Sequence, residues 1–408
     1  MRKLRDIPRF YIDIFFLFTA EVLWAIGSQM YAGQLPVYMK EIVGNPQIVS
    51  FIQSIASFSG ILALFGGILT RKVNLKWLTV LCWAVTVPAP LLFSLAHSAA
   101  LLIIGQAIYS LTTMFGPAVI LYIFDYDYPG EKLPVYLLYC LVSQIASVTG
   151  PVIGGYVATA LGMRRMLLVV FVLFCLSTLA TLAMSRAKPK AEESGEAAAH
   201  EPFSLGRHLR LYGRLYAWMA FFVLLPAIQS IAEPLVSVYL ADHRGFTTAQ
   251  LGYGFTCTCL GGVLMTSALR RWGNKLAMPI NLAILAALFA AADAGFLGTG
   301  FVLMLAMLTL RGAGRTTVFF EQGRYTEICE AAGPQKGMFV SAFVAMRSLA
   351  VTAANNIGGS LYMTSPALPF TAELAAAAVW ILAFALFLQA AKKRGRPMEK
   401  PAENSETL

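Results

Sequence analysis

The chain has 408 residues, of which 58% are hydrophobic and 13% charged, with a mean hydropathy of +0.68 and a formal net charge of +10. Soluble domains carry about 25% charged residues, so this composition excludes an ordinary water-soluble globular protein. The apolar residues gather in runs of roughly 18 to 25, long enough to cross a bilayer core as helices. Lys and Arg cluster at the ends of these runs, a pattern of membrane orientation, and no nucleic-acid partner is expected.

Taken in chain order, the apolar runs predict twelve spans, at 10–33, 47–69, 77–96, 99–124, 134–158, 166–185, 214–240, 249–269, 276–295, 298–320, 337–361 and 369–391. The first run is too long for a signal core and has no small-residue cleavage site, so it is expected to be retained as span 1. One side of the membrane receives Arg2, Lys3, Arg5 and Arg9, then Arg71, Lys72 and Lys76, and further clusters after spans 6, 8 and 12. The positive-inside rule then places both termini in the cytoplasm. The expected location is the cell membrane, as a multi-pass protein, and the short loops fit a bacterial inner membrane.

Four regions follow from this layout: an N-terminal six-helix bundle at 1–186, a cytoplasmic linker at 187–213, a C-terminal six-helix bundle at 214–391, and a tail at 392–408. The linker is polar and of low complexity, from Ala187 to Pro202, and reads as a mobile connection. The six cysteines show no metal-type spacing and read as small apolar packing residues.

The two halves repeat. Tyr38 to Lys76 and Tyr239 to Lys275 share the same punctuation: an aromatic, a glycine six residues on, an apolar stretch and a paired basic cluster. Tyr239 follows Tyr38 by 201 residues, close to half the chain. Repeated halves in a membrane protein imply two similar bundles with a ligand site at the seam between them.

Gly67, Leu69, Lys72 and Lys76 between spans 2 and 3 fit the loop pattern Gly-x-Leu-x-Asp-Arg-x-Gly-Arg-Lys. With the twelve spans and the central loop, the chain resembles the major facilitator superfamily. Arg71 stands where that family has Asp, and Arg270 takes the same place in the second copy. The resemblance implies that the family's charge latch at this position is missing. Span 5 carries Gly150, Pro151, Gly154 and Gly155, similar to a family motif commoner in exporters and antiporters. Such glycines let helix backbones approach, and the proline loosens the helix. The matching place in span 11 has Asn355, Asn356, Gly358 and Gly359. Arg311 in span 10 is similar to a family arginine that normally lies in span 4.

Charge inside the membrane marks candidate function, since a charged residue at the bilayer centre costs about 2.5–3.5 kcal/mol. Glu21 lies about 17 Å along span 1 from Phe10, near the midplane, with Trp24 on its face. It suits either a cationic ligand held beside an aromatic ring or a proton. Glu233 in span 7, with Gln229 one turn before it, is the second proton or cation candidate. Arg347 in span 11 is too deep to reach water easily and calls for an anion: Glu21, Glu233 or the substrate. Asn355 follows it on roughly the same face, and Tyr139 and Gln144 add polar lining in span 5. Arg315 reads as a charge directed to the loop or interface.

All four histidines lie in loops or near span ends, so any coupling proton is expected on a carboxylate. No phosphate-binding Gly-x-x-x-x-Gly-Lys-Ser/Thr segment is present, and neither enzymatic activity, a cofactor nor a metal is expected. The sequence therefore reads as an all-α secondary transporter moving a small molecule by alternating access, with protons and the lipid bilayer as its other partners. It is expected to be a monomer. Proton-coupled efflux by antiport is the favoured mode. Proton-coupled import of a metabolite and a non-transporting receptor of the same fold stay open beside it.

Overall fold

The computed structural model describes residues 9–62, 65, 69, 73–125, 132–185, 205–272, 275–296, 298, 300–317, 320–321, 324–325, 329 and 336–393. Every one of the twelve expected spans contains a helix. Among the described residues, eight helical stretches are long and apolar enough to cross a membrane by themselves, and they correspond to spans 1, 3, 4, 5, 6, 7, 9 and 12. Among the described residues, span 2 contributes the apolar helical stretch Pro46–Leu62. Spans 2, 5, 8 and 11 lie where the halves meet. Span 10 carries Arg311 and Arg315 within Phe301–Arg315.

Packing follows the repeat. In the first half, span 1 (Arg9–Ala32) packs against span 5 (Lys132–Leu161) and span 6 (Met163–Leu182). In the second, span 8 (Thr248–Trp272) packs on span 10, and span 9 (Met278–Phe296) on spans 10 and 12 (Leu368–Lys393). The halves join mainly through span 2 against span 11 (Lys336–Thr364) and span 5 against span 8. The helix leading into span 7 begins at Leu205, so residues expected as linker up to 213 are helical from that point.

The two glycines of the repeat close equivalent helices. Gly44 ends Leu35–Val43 at φ 68°, and Gly245 ends Val236–Arg244 at φ 67°. Both stop the helix in the left-handed conformation that costs glycine no Cβ clash. Each short helix continues a span after a break: residues 33–34 follow span 1, and 229–235 divide span 7. The short helices meet through an ion pair between Lys40 and Asp242.

This end of the molecule, the far face, also holds Arg164 against the Ala96 carbonyl and Arg244 against the Phe296 carbonyl. The opposite, near face is marked by Asp13 accepting the Ser185 N–H and Lys76 donating to the Leu182 carbonyl. Among the described residues, hydrogen bonds between the halves start at the far face, with Tyr156–Tyr253 and Gln47–Ser360. They continue inward to Asn356–Ser54, Asn355–Ser57 and Thr256 on the Val148 carbonyl.

Candidate functional site

Glu21 sits on span 1 where that helix is flanked by spans 3, 4 and 5, and it is 4% exposed. The Tyr139 hydroxyl of span 5 donates to Glu21 Oε2 at 2.7 Å, and Ser143, one turn further along, also interacts with the carboxylate. Tyr139 and Glu21 are 118 residues apart in sequence, and the close packing of spans 1 and 5 brings them together.

That packing has a specific origin. A Cβ on Gly154 would run into the Met30 backbone, and one on Gly150 would meet Gln29 at 2.6 Å. Span 5 thus lies on span 1 at a distance that only glycine allows. On its other side Gly155 would touch Ala249 and Gly252 of span 8 at 3.3 Å, and Gly252 lies against the Pro151 carbonyl. The glycines expected to allow close approach do so against two helices, one in each half.

Glu21 opens onto a cavity of about 340 Å³. Its walls are aromatic on spans 1, 3 and 5, through Trp24, Trp83, Tyr136 and Tyr139. Span 4 supplies small and polar groups, with Thr112, Thr113 and Gly116 beside Cys82 of span 3. Trp24 is fixed on three sides: its indole N–H donates to Thr86 at 3.2 Å, and its ring stacks on Tyr109 and Phe174. A rigid aromatic wall beside a buried carboxylate suits a ligand with an apolar body and a positive charge.

The repeat pointed to a ligand site at the seam; the residues around Glu21 come from spans 1, 3, 4 and 5 of the first half. Spans 3 and 4 join there through Cys82 and Thr112, which bond to each other in the cavity wall. Gln144 is half-buried in span 5 and does not line this cavity.

The second half holds a different cluster. Arg311 of span 10 is 1% exposed and pairs with Asp293 of span 9 and Glu373 of span 12, the latter at 2.9 Å. Its guanidinium lies over the Phe289 ring at 4.4 Å. Glu233, at the break in span 7, approaches Arg311 at 3.6 Å and pairs with Arg315. Arg315 is therefore an internal ion-pair partner, not the loop-directed charge expected, because the broken span 7 brings Glu233 to it. Gln229 is buried and donates to the Gly314 carbonyl and to Thr317, both at 3.3 Å. Glu21 and Glu233 are thus held in separate clusters with separate partners.

Arg347 feels the charge of Glu321 and lies over the Phe343 ring at 5.6 Å. Glu321, one residue beyond the expected end of span 10, is fully buried. Asn355 is buried and donates to Ser57 across the halves at 3.1 Å, so its amide nitrogen is committed to the interface. Arg270 is exposed at the near-face end of span 8. Gly67, Arg71 and Lys72 lie outside the described residues.

Sequence reasoning missed Asp293 and Glu373. Each lies within two turns of a helix end, Phe296 or Leu368, where a carboxylate reads as interfacial. The available signal was Arg311, a deep cation that required anions from neighbouring helices.

The family model described as Major Facilitator Superfamily matches residues 17–321. A nucleoside transporter, NupG, superimposes with a TM-score of 0.69 at 14% identity, covering 92% of this chain and 99% of that one. The human organic anion transporter MFSD10 gives 0.62 at 15%, covering 93% and 100%. A bacterial homologue of the human lysosomal transporter Spinster gives 0.66 at 13%, covering 96% and 99%. No curated protein matches in sequence.

Proposed function

Because the chain belongs to the Major Facilitator Superfamily and is a secondary transporter, we propose that it moves a cationic amphipathic small molecule in exchange for protons at Glu21. The observation that carries this reading is the buried Glu21 carboxylate opening onto the aromatic cavity beside Trp24 and Tyr139. In the low-dielectric interior an unpaired carboxylate is costly, so the group is stable either with a cation beside it or with a proton on it. Those two states exclude each other, which is the requirement for antiport through one site. Trp24 and Tyr136 supply flat apolar surface for the body of the substrate. Tyr139 orients the carboxylate.

The cross-half hydrogen bonds that begin at Lys40–Asp242 support a state closed at the far face. With the near face cytoplasmic, this state loads substrate from inside, and rocking of the halves releases it outside. The structural relatives share 13–15% identity with this chain and carry no substrate assignment across.

The test is accumulation of tetraphenylphosphonium in inside-out proteoliposomes under an imposed pH gradient. Wild-type protein is expected to concentrate the cation, and Glu21→Gln to lose both binding and gradient-driven flux. Undiminished proton-driven flux by Glu21→Gln overturns the assignment.

A further inference from the structure

The ion cluster of the second half has more acid than base. Three carboxyls, Asp293, Glu373 and Glu233, face two guanidiniums, Arg311 and Arg315. Asp293 and Glu373 are both fully buried, and a single nitrogen, Arg311 Nη1, serves an oxygen of each. The shared nitrogen keeps the two carboxyl groups close together, and two ionised carboxylates held so in a buried site repel each other; a proton on one removes that repulsion.

The donors show where that proton goes. Glu373 Oε1 accepts the Ala232 N–H at 2.7 Å and Arg311 Nη2 at 3.2 Å, and its Oε2 accepts Arg311 Nη1. Glu373 is therefore held as a carboxylate with both oxygens engaged. Asp293 Oδ2 is buried and has no donor among the described residues. A proton on that oxygen satisfies it, joins it to Glu373 and brings the five-residue cluster to neutrality, as a membrane interior requires.

The Ala232 N–H is not an arbitrary partner. It lies in the break of span 7, after Ile228 and before the helix resumes at Val236, where the backbone lacks regular helical partners. Glu373 of span 12 thus fastens the broken strand of span 7, and Arg311 fastens Glu373. If the proton leaves, two adjacent carboxylates repel and compete for one guanidinium. Glu373 then shifts relative to Ala232, and the break changes shape.

We propose that Asp293 and Glu373 share one proton, and that its presence sets the geometry of the span 7 break. Resting on the proton-coupled reading above, this makes the pair a second proton site, distinct from Glu21 and able to link protonation to rocking of the second half. Among the described residues, the other charged or titratable groups facing it are Glu233 on span 7, Arg315 on span 10, and Cys259 on span 8 near Glu233 and Arg315. Arg244 bonds the Phe296 carbonyl at the far-face end of span 9. In span 11, Arg347 feels the charge of Glu321.

The experiment is infrared spectroscopy of the purified full chain in the protonated-carboxyl C=O region at neutral pH. Wild-type protein is expected to show a band that is lost in both Asp293→Asn and Glu373→Gln and kept in Glu21→Gln. Gln at 373 can still accept the Ala232 N–H, so that variant is expected to fold. If neither variant folds, heavy-carbon labelling of aspartate carboxyls in wild-type protein is expected to shift the band. A spectrum without the band, or one unchanged by variants or label, overturns the shared proton. In proteoliposomes, Glu373→Gln is expected to lose proton-driven accumulation of tetraphenylphosphonium while keeping its counterflow. Intact proton-driven accumulation in that variant overturns the second site. Absence of proton-driven flux in wild-type protein overturns the antiport reading and the transport role of the second site. The infrared result decides the shared proton either way.

Discussion

Tyr139 donates its hydroxyl to Glu21 from a helix that only glycines allow to lie so close. The bond links the packing motif of span 5 to the carboxylate of span 1. A hydrogen bond to a charged group contributes about 1.5–3 kcal/mol. Tyr139→Phe is therefore expected to weaken tetraphenylphosphonium binding by about tenfold or more, while Glu21→Gln abolishes it. Isothermal titration of purified protein checks both. Equal affinity in Tyr139→Phe and wild type would remove Tyr139 from the site.

Gly154→Ala places a methyl group against the Met30 backbone, which cannot move aside as a side chain can. Overpacking of this kind costs about 1–3 kcal/mol. A lower unfolding temperature in detergent is expected, together with loss of the Glu21–Tyr139 contact. Gly262→Ala is the comparison, since its nearest neighbour, the Gly312 carbonyl oxygen, lies at an ordinary 3.6 Å. It is expected to unfold at the wild-type temperature.

Arg311→Met leaves Asp293 and Glu373 buried without their cation, a loss of about 3–5 kcal/mol. The expected outcome is failure to yield folded protein. Arg311→Lys is expected to recover only part of this, because an ammonium cannot bridge two carboxyls and stack on Phe289 as a guanidinium does. Fluorescence-detected size exclusion gives the ranking. Wild-type stability in Arg311→Met would contradict the network's role.

Lys40 and Asp242 are each about 30% exposed, so their ion pair contributes at most about 1 kcal/mol. Lys40→Ala is expected to leave transport within about fivefold of wild type. A Lys40→Cys/Asp242→Cys pair joined by a short bifunctional reagent is expected to stop transport, with recovery when a cleavable reagent is cut. Continued transport by the cross-linked protein would mean that this contact persists throughout the cycle.

The helical architecture was legible because lipid imposes long apolar runs, and the repeat showed how they pair. Glu21 was legible because it lies deep inside such a run, while Asp13 lies near its end. The Arg311 cluster was not: Asp293 is 18 residues from Arg311 and Glu373 is 62 away, and only the packing of spans 9, 10 and 12 brings them together. Likewise, Tyr136, Trp83 and Thr112 are ordinary span residues until helix packing turns them toward one carboxylate. Periodicity reports which residues share a helix face, and the neighbour that face meets is set by the fold.

Gly155 and Gly252 put backbone against backbone where span 5 meets span 8. Interlocked side chains at such a junction would act as gear teeth, and turning one half would force rotamer jumps at each step. Bare backbone offers no such teeth. The polar contact that holds the halves here, Tyr156 on Tyr253, stands beside the glycines, so turning of the halves has that bond to break while the glycines add no side-chain barrier of their own.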